Sequence, residues 1–497
     1  MCIRDRIIGE LGERYEIADW IANWQLSVWQ DRIQLVRLRR DIYVTPDEST
    51  HGMWSSRWLF VLAAAGSAVG LGNIWKFPYI AGENGGGVFV VAYLFCIALV
   101  GIPVMVAEVL IGRQGRQSPI NSMRSLVQQS EGSKAWSLIG WAGVAAGFLI
   151  LSFYSVIAGW GLYYIGELAS GGFTGVDGNT ATQALAALHS NPILMAVFHT
   201  VFMGITIFIV ARGVVSGLER AIRWLMPLLF VLLIVLLGYG IASGGFAEGF
   251  DFMFALRWES LSFDGLLVAL GHAAFTLSIG MGAIMAYGAY VPSSVSITRT
   301  VMTIAMLDTL VALIAGLAIF SIVFANGLEP GSGPGLMFVT VPLAFGQMPL
   351  GALFGGIFFI LVSFAAITSA ISLTEPAIAF LVEEYDASRS RVAVGLGIAC
   401  WLLGLASVFS FNIWSDVYVV GEKTVFDSID YLTANIMLPL GALFIALFAG
   451  YVLPRVTVMS QLGITSESAM AIWTVALRVV APLGILAVFL YTIWPSG

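Results

Sequence analysis

Asp308 stands in TIAMLDTLVALIAGLAIF, a stretch that carries no other charge. A carboxylate in such surroundings is costly unless it meets a cation or takes up a proton. A protonated acid held by an interhelical hydrogen bond is the plain structural alternative. A second chemical signal is the run AAAGSAVGLGNIWKFPYIAGENGGG, from Ala63 to Gly87. Its middle holds Gly66, Gly70 and Gly72, each costing a helix about 0.8–1 kcal/mol against alanine. A local break is expected there, and a break at membrane depth is tolerated only where it is buried in protein or lines a cavity. Freed carbonyls together with Thr, Ser, Asn and Asp oxygens can replace the hydration shell of a small cation. The residue types therefore point to an ion and solute site rather than to bond-breaking chemistry.

The elements that must hold these groups are apolar spans. Hydrophobic residues make up 59% of the 497 and charged ones 11%, which excludes a soluble globule. Eleven spans of about 20 residues or more are expected, at 58–82, 87–112, 137–167, 191–211, 219–242, 266–290, 298–325, 350–382, 391–411, 428–453 and 470–494. Lys and Arg concentrate in alternate loops, among them Arg113, Arg116, Arg124, Lys134, Arg212, Arg220, Arg223, Arg299, Arg389, Arg391 and Arg455. The opposite loops hold Arg257 and Lys423. The positive-inside rule then places the N-terminus in the cytoplasm and the C-terminus outside, in the inner (plasma) membrane. The sixth span repeats the oddity of the first, with Ser278-Ile279-Gly280-Met281-Gly282 in its middle. Matching breaks in two halves of five spans indicate an inverted repeat with its site between the halves. The expected fold is all-α, with two inverted five-helix repeats, discontinuous helices 1 and 6, and one extra helix. Residues 51–455 would form the core and 456–497 a loop and the last helix. The glycine- and proline-rich loop 326–350 is too long for a turn and is expected to act as an external lid.

Residues 1–50 are charged and carry no apolar signal-peptide region. They read as a cytoplasmic extension against lipid headgroups, or as a misplaced start of the reading frame. Cys96 and Cys400 fall in spans, and the four histidines show no metal spacing.

Five matching segments, in order, identify what the chain is similar to. GSAVGLGNIWKFPYIAGENGGG with GIPVMVAEVLIGR, SFYSVIAGW, FTLSIGMGAIMAYGAY, AAITSAISLTEPAIAF and FDSIDYLTAN resemble the neurotransmitter:sodium symporter family across about residues 51–497. The span count resembles its bacterial members that lack a twelfth helix. The resemblance implies two sodium sites. The first would use the Ala68 carbonyl, Asn73, Thr276 and a residue of span 7, with the substrate carboxylate. The second would use the carbonyls of Gly66, Val69 and Ala365 and the hydroxyls of Thr368 and Ser369. Read without the family, those two hydroxyls would bond back to their own helix. The family usually has Asn where this chain has Asp308, and its chloride-dependent members have Ser where Ala312 stands. Asp308 is therefore expected to bind the first sodium and to supply the charge that chloride supplies elsewhere, so no chloride is expected. His272, at the position of a chloride-site Gln, fits a remodelled anion site or a core histidine equally well.

The amides of Leu71 and Gly72 and the Tyr154 hydroxyl would receive a substrate carboxylate. The carbonyls of Ala68, Phe275 and Thr276, with the Ser278 hydroxyl, would receive an ammonium. Val69, Phe275, Met281, Ser372 and Leu373 would surround the side chain. Gly70, where monoamine carriers have Asp, argues against amine-only substrates. Met281, flanked by glycines, suits a bulky side chain or is simply packing. Hydrophobic or aromatic L-amino acids, tryptophan among them, are the expected substrates. Lys76 and Asp430 would gate the outside, with Phe275 and Tyr154 as the lid. Trp54 and Arg57 would close the inside against Glu383, with His51 at another basic gate position. Glu83 and Glu108 match acidic positions of the family and are given structural roles.

The expectation is sodium-coupled import of an amino acid by alternating access, from a monomer or weak dimer in the bilayer that binds no nucleic acid. The alternative is a transporter-like sensor that binds without transport. No metal motif, nucleophile elbow or phosphate loop supports an enzyme.

Overall fold

The computed structural model describes residues 54–328 and 335–493. His51 and the 1–50 extension lie outside them. Helices account for all regular structure among the described residues apart from one isolated bridge between Val420 and Lys423. Among the described residues nine helices are long and apolar enough to cross a bilayer, and a bent pair makes a tenth span.

The chain opens on that pair, α1 (Arg57–Ala68) and α2 (Gly72–Glu83), set at 52° to each other. Ser56 caps α1, accepting from the Leu59 amide at 3.2 Å. Gly66 to Ala68 remain helical, so the break is narrower than glycine content alone suggests. Span α3 (Gly87–Gly115) leads into the short α4 (Pro119–Gln129), then span α5 (Lys134–Ala169). A surface helix, α6 (Gly178–His189), is capped by Asp177, whose side chain accepts from the Thr180 amide at 2.8 Å. The hydrogen bonds from Thr180 hold the Asp177 carboxyl below its ordinary range. Spans α7 (Pro192–Val210) and α8 (Gly217–Ala242) follow, then the short α9 (Phe246–Phe254).

A second interrupted segment comes next, α10 (Phe263–Thr276) and α11 (Ala283–Ala289). The six residues between them include Ser278, Gly280 and Gly282 at φ of 55°, 88° and 74°. Gly280 has no room for a side chain, since a Cβ would lie 2.6 Å from the Leu438 carbonyl. Span α12 (Ile297–Ala325) carries Asp308. Residues 336–347 of the expected lid loop are helical, as α13 (Leu336–Gln347). Spans α14 (Gly351–Tyr385), α15 (Arg389–Phe409) and α16 (Val425–Val452) follow, then the short α17 (Arg455–Leu462) and span α18 (Glu467–Thr492).

Span α14 is the most enclosed of the nine and α18 the least. The first therefore reads as scaffold at the centre and the second as a peripheral, lipid-facing helix.

A very tight backbone approach joins α3 to α11. A Cβ on Gly112 would lie 1.9 Å from the Met285 carbonyl, and one on Gly288 would lie 2.9 Å from the Val109 carbonyl. Small residues at such crossings let helices meet without a hydrophobic drive between them. Arg113 and Arg116 clamp the same junction from α3 and its C-terminal end. They donate to the Val295 carbonyl and the Val291 carbonyl, each at 2.5 Å. Gly112→Ala is expected to destabilise the protein by at least about 1–3 kcal/mol, the usual cost of overpacking. Thermal unfolding in detergent measures this, and an unchanged midpoint would contradict the packing described.

Candidate functional site

Asp308 lies fully buried in α12 and collects donors from three other helices. Asn73 of α2 donates from its side-chain amide to Asp308 Oδ1 at 2.8 Å and to the Asp308 carbonyl at 3.1 Å. Thr276, the last residue of α10, donates to Oδ2 at 3.1 Å, and Tyr93 of α3 donates at 3.5 Å. Every one of these groups is a donor, which suits an ionised carboxylate. The Asn73 side-chain oxygen accepts from the Gly70 amide at 3.1 Å, so one side chain spans the α1–α2 break and the charged site. His272 packs beside it, between Tyr93 and Phe77, with ring centroids 5.5 and 5.9 Å away.

A second cluster joins α1 to α14. Ser369 donates to the carbonyls of Ser67 and Gly66 at 3.3 and 3.4 Å. A Cβ on Gly66 would lie 3.2 Å from Thr368 Cβ. Thr368 bonds to its own helix, at 2.9 Å to the Ala365 carbonyl, while Ser369 reaches across. Val69 is fully buried at the C-terminal end of α1, its amide bonded to the Ala65 carbonyl.

Between the clusters is a small cavity of about 40 Å³. It is lined by Ala68, Leu71, Gly72, Tyr154, Phe275, Thr276, Ser278, Met281, Ser372 and Leu373, ten of the eleven residues that the sequence suggested for a substrate. Val69 is not among its walls, because the break leaves it packed in the core. Ser67 and Ile150 line the cavity and were not singled out from the sequence, and Gly70, noted there for the Asp it lacks, lines it too. Ser67 and Gly70 stood within the noticed glycine-rich run, and Ile150 lies four residues before Tyr154 on the same helical face. The Tyr154 hydroxyl is buried beside Ser369 and the Leu71 backbone, with no acceptor in full hydrogen-bond geometry. Ser278 turns into its left-handed backbone and donates to the Ser67 carbonyl at 2.9 Å, tying one break to the other. Glu108 accepts from the Gly280 amide at 2.8 Å and so satisfies part of the second break.

A wider cavity of about 420 Å³ shares Leu71, Gly72, Ile150, Tyr154 and Phe275 with the small one. Lys76 and Asp430 both line it. They do not form the direct ion pair expected from the sequence. The Lys76 ammonium instead lies 4.5 Å from the centroid of Phe275, a cation–π contact open to a compact point charge. His189 lines the same cavity from α6, its ring 4.5 Å from Trp160 and 4.9 Å from Phe411. Burial holds its imidazole down to about 4.

At the opposite end Trp54 is buried, donating to the Tyr287 carbonyl at 3.1 Å. Arg57 and Glu383, expected to close on each other, have different partners. Arg57 donates to Thr300 at 3.2 Å. Glu383 accepts from the Ser118 amide at 2.7 Å and from Asn121 at 2.9 Å, drawn to the unpaired amides that begin α4. The carboxylate that does hold the start of α1 is Glu219. It accepts from the Ser55 amide at 2.7 Å and the Ser55 hydroxyl at 3.0 Å. A further buried pair was not read from the sequence: Arg389 with Glu375, joined by the Tyr290 hydroxyl at 2.7 Å.

One bent span and a second interrupted segment, with side-chain oxygens and a cavity between them, fit a secondary transporter of the broken-helix type. The comparisons agree. The model of the Sodium:neurotransmitter symporter family matches residues 51–171 and 182–496, and the chain belongs to that family, whose members are sodium-coupled transporters rather than enzymes. A sodium-dependent transporter of Bacillus subtilis (strain 168), YhdH, is 39% identical, over 88% of this chain and 96% of its own. One of Haemophilus influenzae is 33% identical, over 90% and 99%. The crystal structure of MhsT in complex with L-phenylalanine superposes with a TM-score of 0.81 at 42% identity, covering 89% of this chain and 99% of that one.

Glu219→Gln is expected to weaken the grip on Ser55 and to speed hydrogen exchange in residues 57–68, while 297–325 is unaffected. Acid gives a second test. A histidine whose folded pKa is depressed contributes stability that is lost as pH falls from its unfolded value near 6.5 toward about 4. Protection of 178–189, relative to the intrinsic exchange rate at each pH, should therefore fall between pH 7 and pH 4.5, and His189→Phe should remove that fall.

Proposed function

We propose that the protein imports hydrophobic or aromatic L-amino acids, coupled to two sodium ions, by alternating access and without chloride. The observation that supports this best is the Tyr154 hydroxyl, buried with no acceptor in full hydrogen-bond geometry, in a cavity walled by residues from both helix interruptions. A buried donor left unmade costs about 1–3 kcal/mol, so a ligand acceptor is its natural complement. A substrate carboxylate meets that hydroxyl and the amides of Leu71 and Gly72. The ammonium lies against the carbonyls of Ala68, Phe275 and Thr276. Apolar walls at Met281 and Leu373 invite no charged side chain. The bound L-phenylalanine of MhsT supports the same class of substrate here.

In this reading α10 and α11 complete an eleventh span, and α1 to α16 form two inverted five-span repeats with α18 outside them. Lys76, Asp430 and Phe275 face the outside of the plasma membrane, and Trp54, Arg57 and Glu383 the cytoplasm. The first sodium takes oxygens from Ala68, Asn73, Thr276 and Asp308. The second takes them from Gly66, Val69, Ala365, Thr368 and Ser369. Sodium and the substrate carboxylate share the first site, so each strengthens binding of the other, and linkage makes the effect reciprocal. One charge crossing 100 mV contributes about 2.3 kcal/mol. A tenfold gradient adds about 1.4 kcal/mol. Two ions then drive roughly 10⁵-fold accumulation at most, and one ion a few hundred-fold. The Asp308 carboxylate supplies the fixed negative charge beside the first ion.

Uptake of labelled amino acids into proteoliposomes, with an inward sodium gradient and gluconate in place of chloride, tests the proposal. Sodium-driven accumulation of apolar or aromatic species is expected, and binding without accumulation would favour a sensor. Tyr154→Phe should weaken substrate binding by about ten- to a hundredfold, the range for a hydrogen bond to a charged group. Asp308→Asn should abolish most chloride-free uptake. Full, chloride-independent uptake by that variant would refute the role given to Asp308.

A further inference from the structure

Hydrogen-bond direction sorts the hydroxyls of the small cavity. Ser372 donates to the Ser369 carbonyl at 2.8 Å, so its oxygen accepts from the Ser67 hydroxyl at 2.8 Å. Ser278 and Ser369 both spend their protons on the Ser67 carbonyl. All four serine protons are thus committed to protein acceptors, and these hydroxyls offer a ligand lone pairs only. Ser67 Oγ, its own proton spent, receives no donor among the described residues.

Span α5 shows where this pair lies along the cavity. Tyr154 marks one end. Seven residues earlier, about 10 Å along an α-helix, a Cβ on Gly147 would lie 3.1 Å from the Leu373 carbonyl and 3.5 Å from the Met281 carbonyl. Met281, Leu373 and the adjoining Ser372 therefore sit at the end remote from Tyr154, and Ser67 is bonded to Ser372 there. With a carboxylate at Tyr154, that remote end holds the substrate side chain.

We propose that Ser67 Oγ is a specificity determinant that accepts a hydrogen bond from the indole N–H of a tryptophan side chain. This rests on the amino-acid reading above. The chemistry separates three aromatic groups. Indole carries a donor and no acceptor, matching a subsite whose protons are all spent. A phenol brings the same donor but also oxygen lone pairs that find no donor there. A benzyl group leaves Ser67 Oγ without a partner.

The test measures competition against labelled tryptophan in proteoliposomes by tryptophan and by 3-benzothienylalanine, in which sulfur replaces the N–H. Wild-type protein should prefer tryptophan by about three- to tenfold, the range for a neutral hydrogen bond, and Ser67→Ala should bring the ratio close to one. A wild-type ratio near one, or a ratio unchanged in Ser67→Ala, overturns the inference alone. If Ser67→Ala does not fold, Ser372→Ala decides. That variant frees the Ser67 proton to be donated, so tyrosine should gain on tryptophan, and an unchanged ratio overturns the proposal. If no aromatic amino acid is bound or accumulated at all, the amino-acid reading falls and takes this inference with it.

Discussion

Inside a bilayer every backbone amide and carbonyl must find a partner within the protein, and this chain breaks that supply twice. The interruptions at 69–71 and 277–282 release polar groups where water cannot reach them. Much of the surrounding structure can be understood as an answer to that debt. Asn73 and Glu108 each turn a side-chain oxygen toward an amide of a break, at Gly70 and Gly280. Ser278 and Ser369 both reach the Ser67 carbonyl. Residues from both interruptions line one small cavity, so the features that weaken the helices also shape the candidate site.

The same logic explains how polar groups are distributed. Asp308 is surrounded by donors and the serine cluster by acceptors, so the two flanks of the cavity differ in character. A zwitterion with an apolar side chain complements a site with that asymmetry, whereas a neutral solute would leave several groups unmatched. On the proposed reading, specificity follows from which protons are already spent, and less from the shape of the apolar wall.

Much of this was legible in the sequence because the signals were local. Glycines clustered in an apolar run mark a break, and a lone carboxylate in a span marks a polar centre, whatever the tertiary packing. Pairings between distant side chains were less legible. Lys76 and Asp430 have opposite charges at plausible places, yet the ammonium rests on Phe275. Arg57 and Glu383 were matched by sign alone, and the amides beginning α4 take the carboxylate instead. Val69 was assigned to the cavity wall by the family resemblance, but its place at the end of α1 turns it into the core. Ser67 went unnoticed since a serine beside a glycine ordinarily signals only a weak helix. Glu219, at the start of the fifth apolar span, gave no hint that it would hold Ser55.

The contact between α3 and α11 has a mechanical consequence. Backbone meets backbone at Gly112 and Gly288, and two arginines on the α3 side grip the chain just beyond α11. Contact this close resists independent movement of the two helices. The outer partner, α10, packs on α3 as well, where a Cβ on Gly101 would lie 3.7 Å from the Ala273 carbonyl, and six residues rich in glycine join it to α11. Bending between α10 and α11 would fall on 277–282, where three residues take positive φ, and a tilt of α11 would load the α3 backbone it touches.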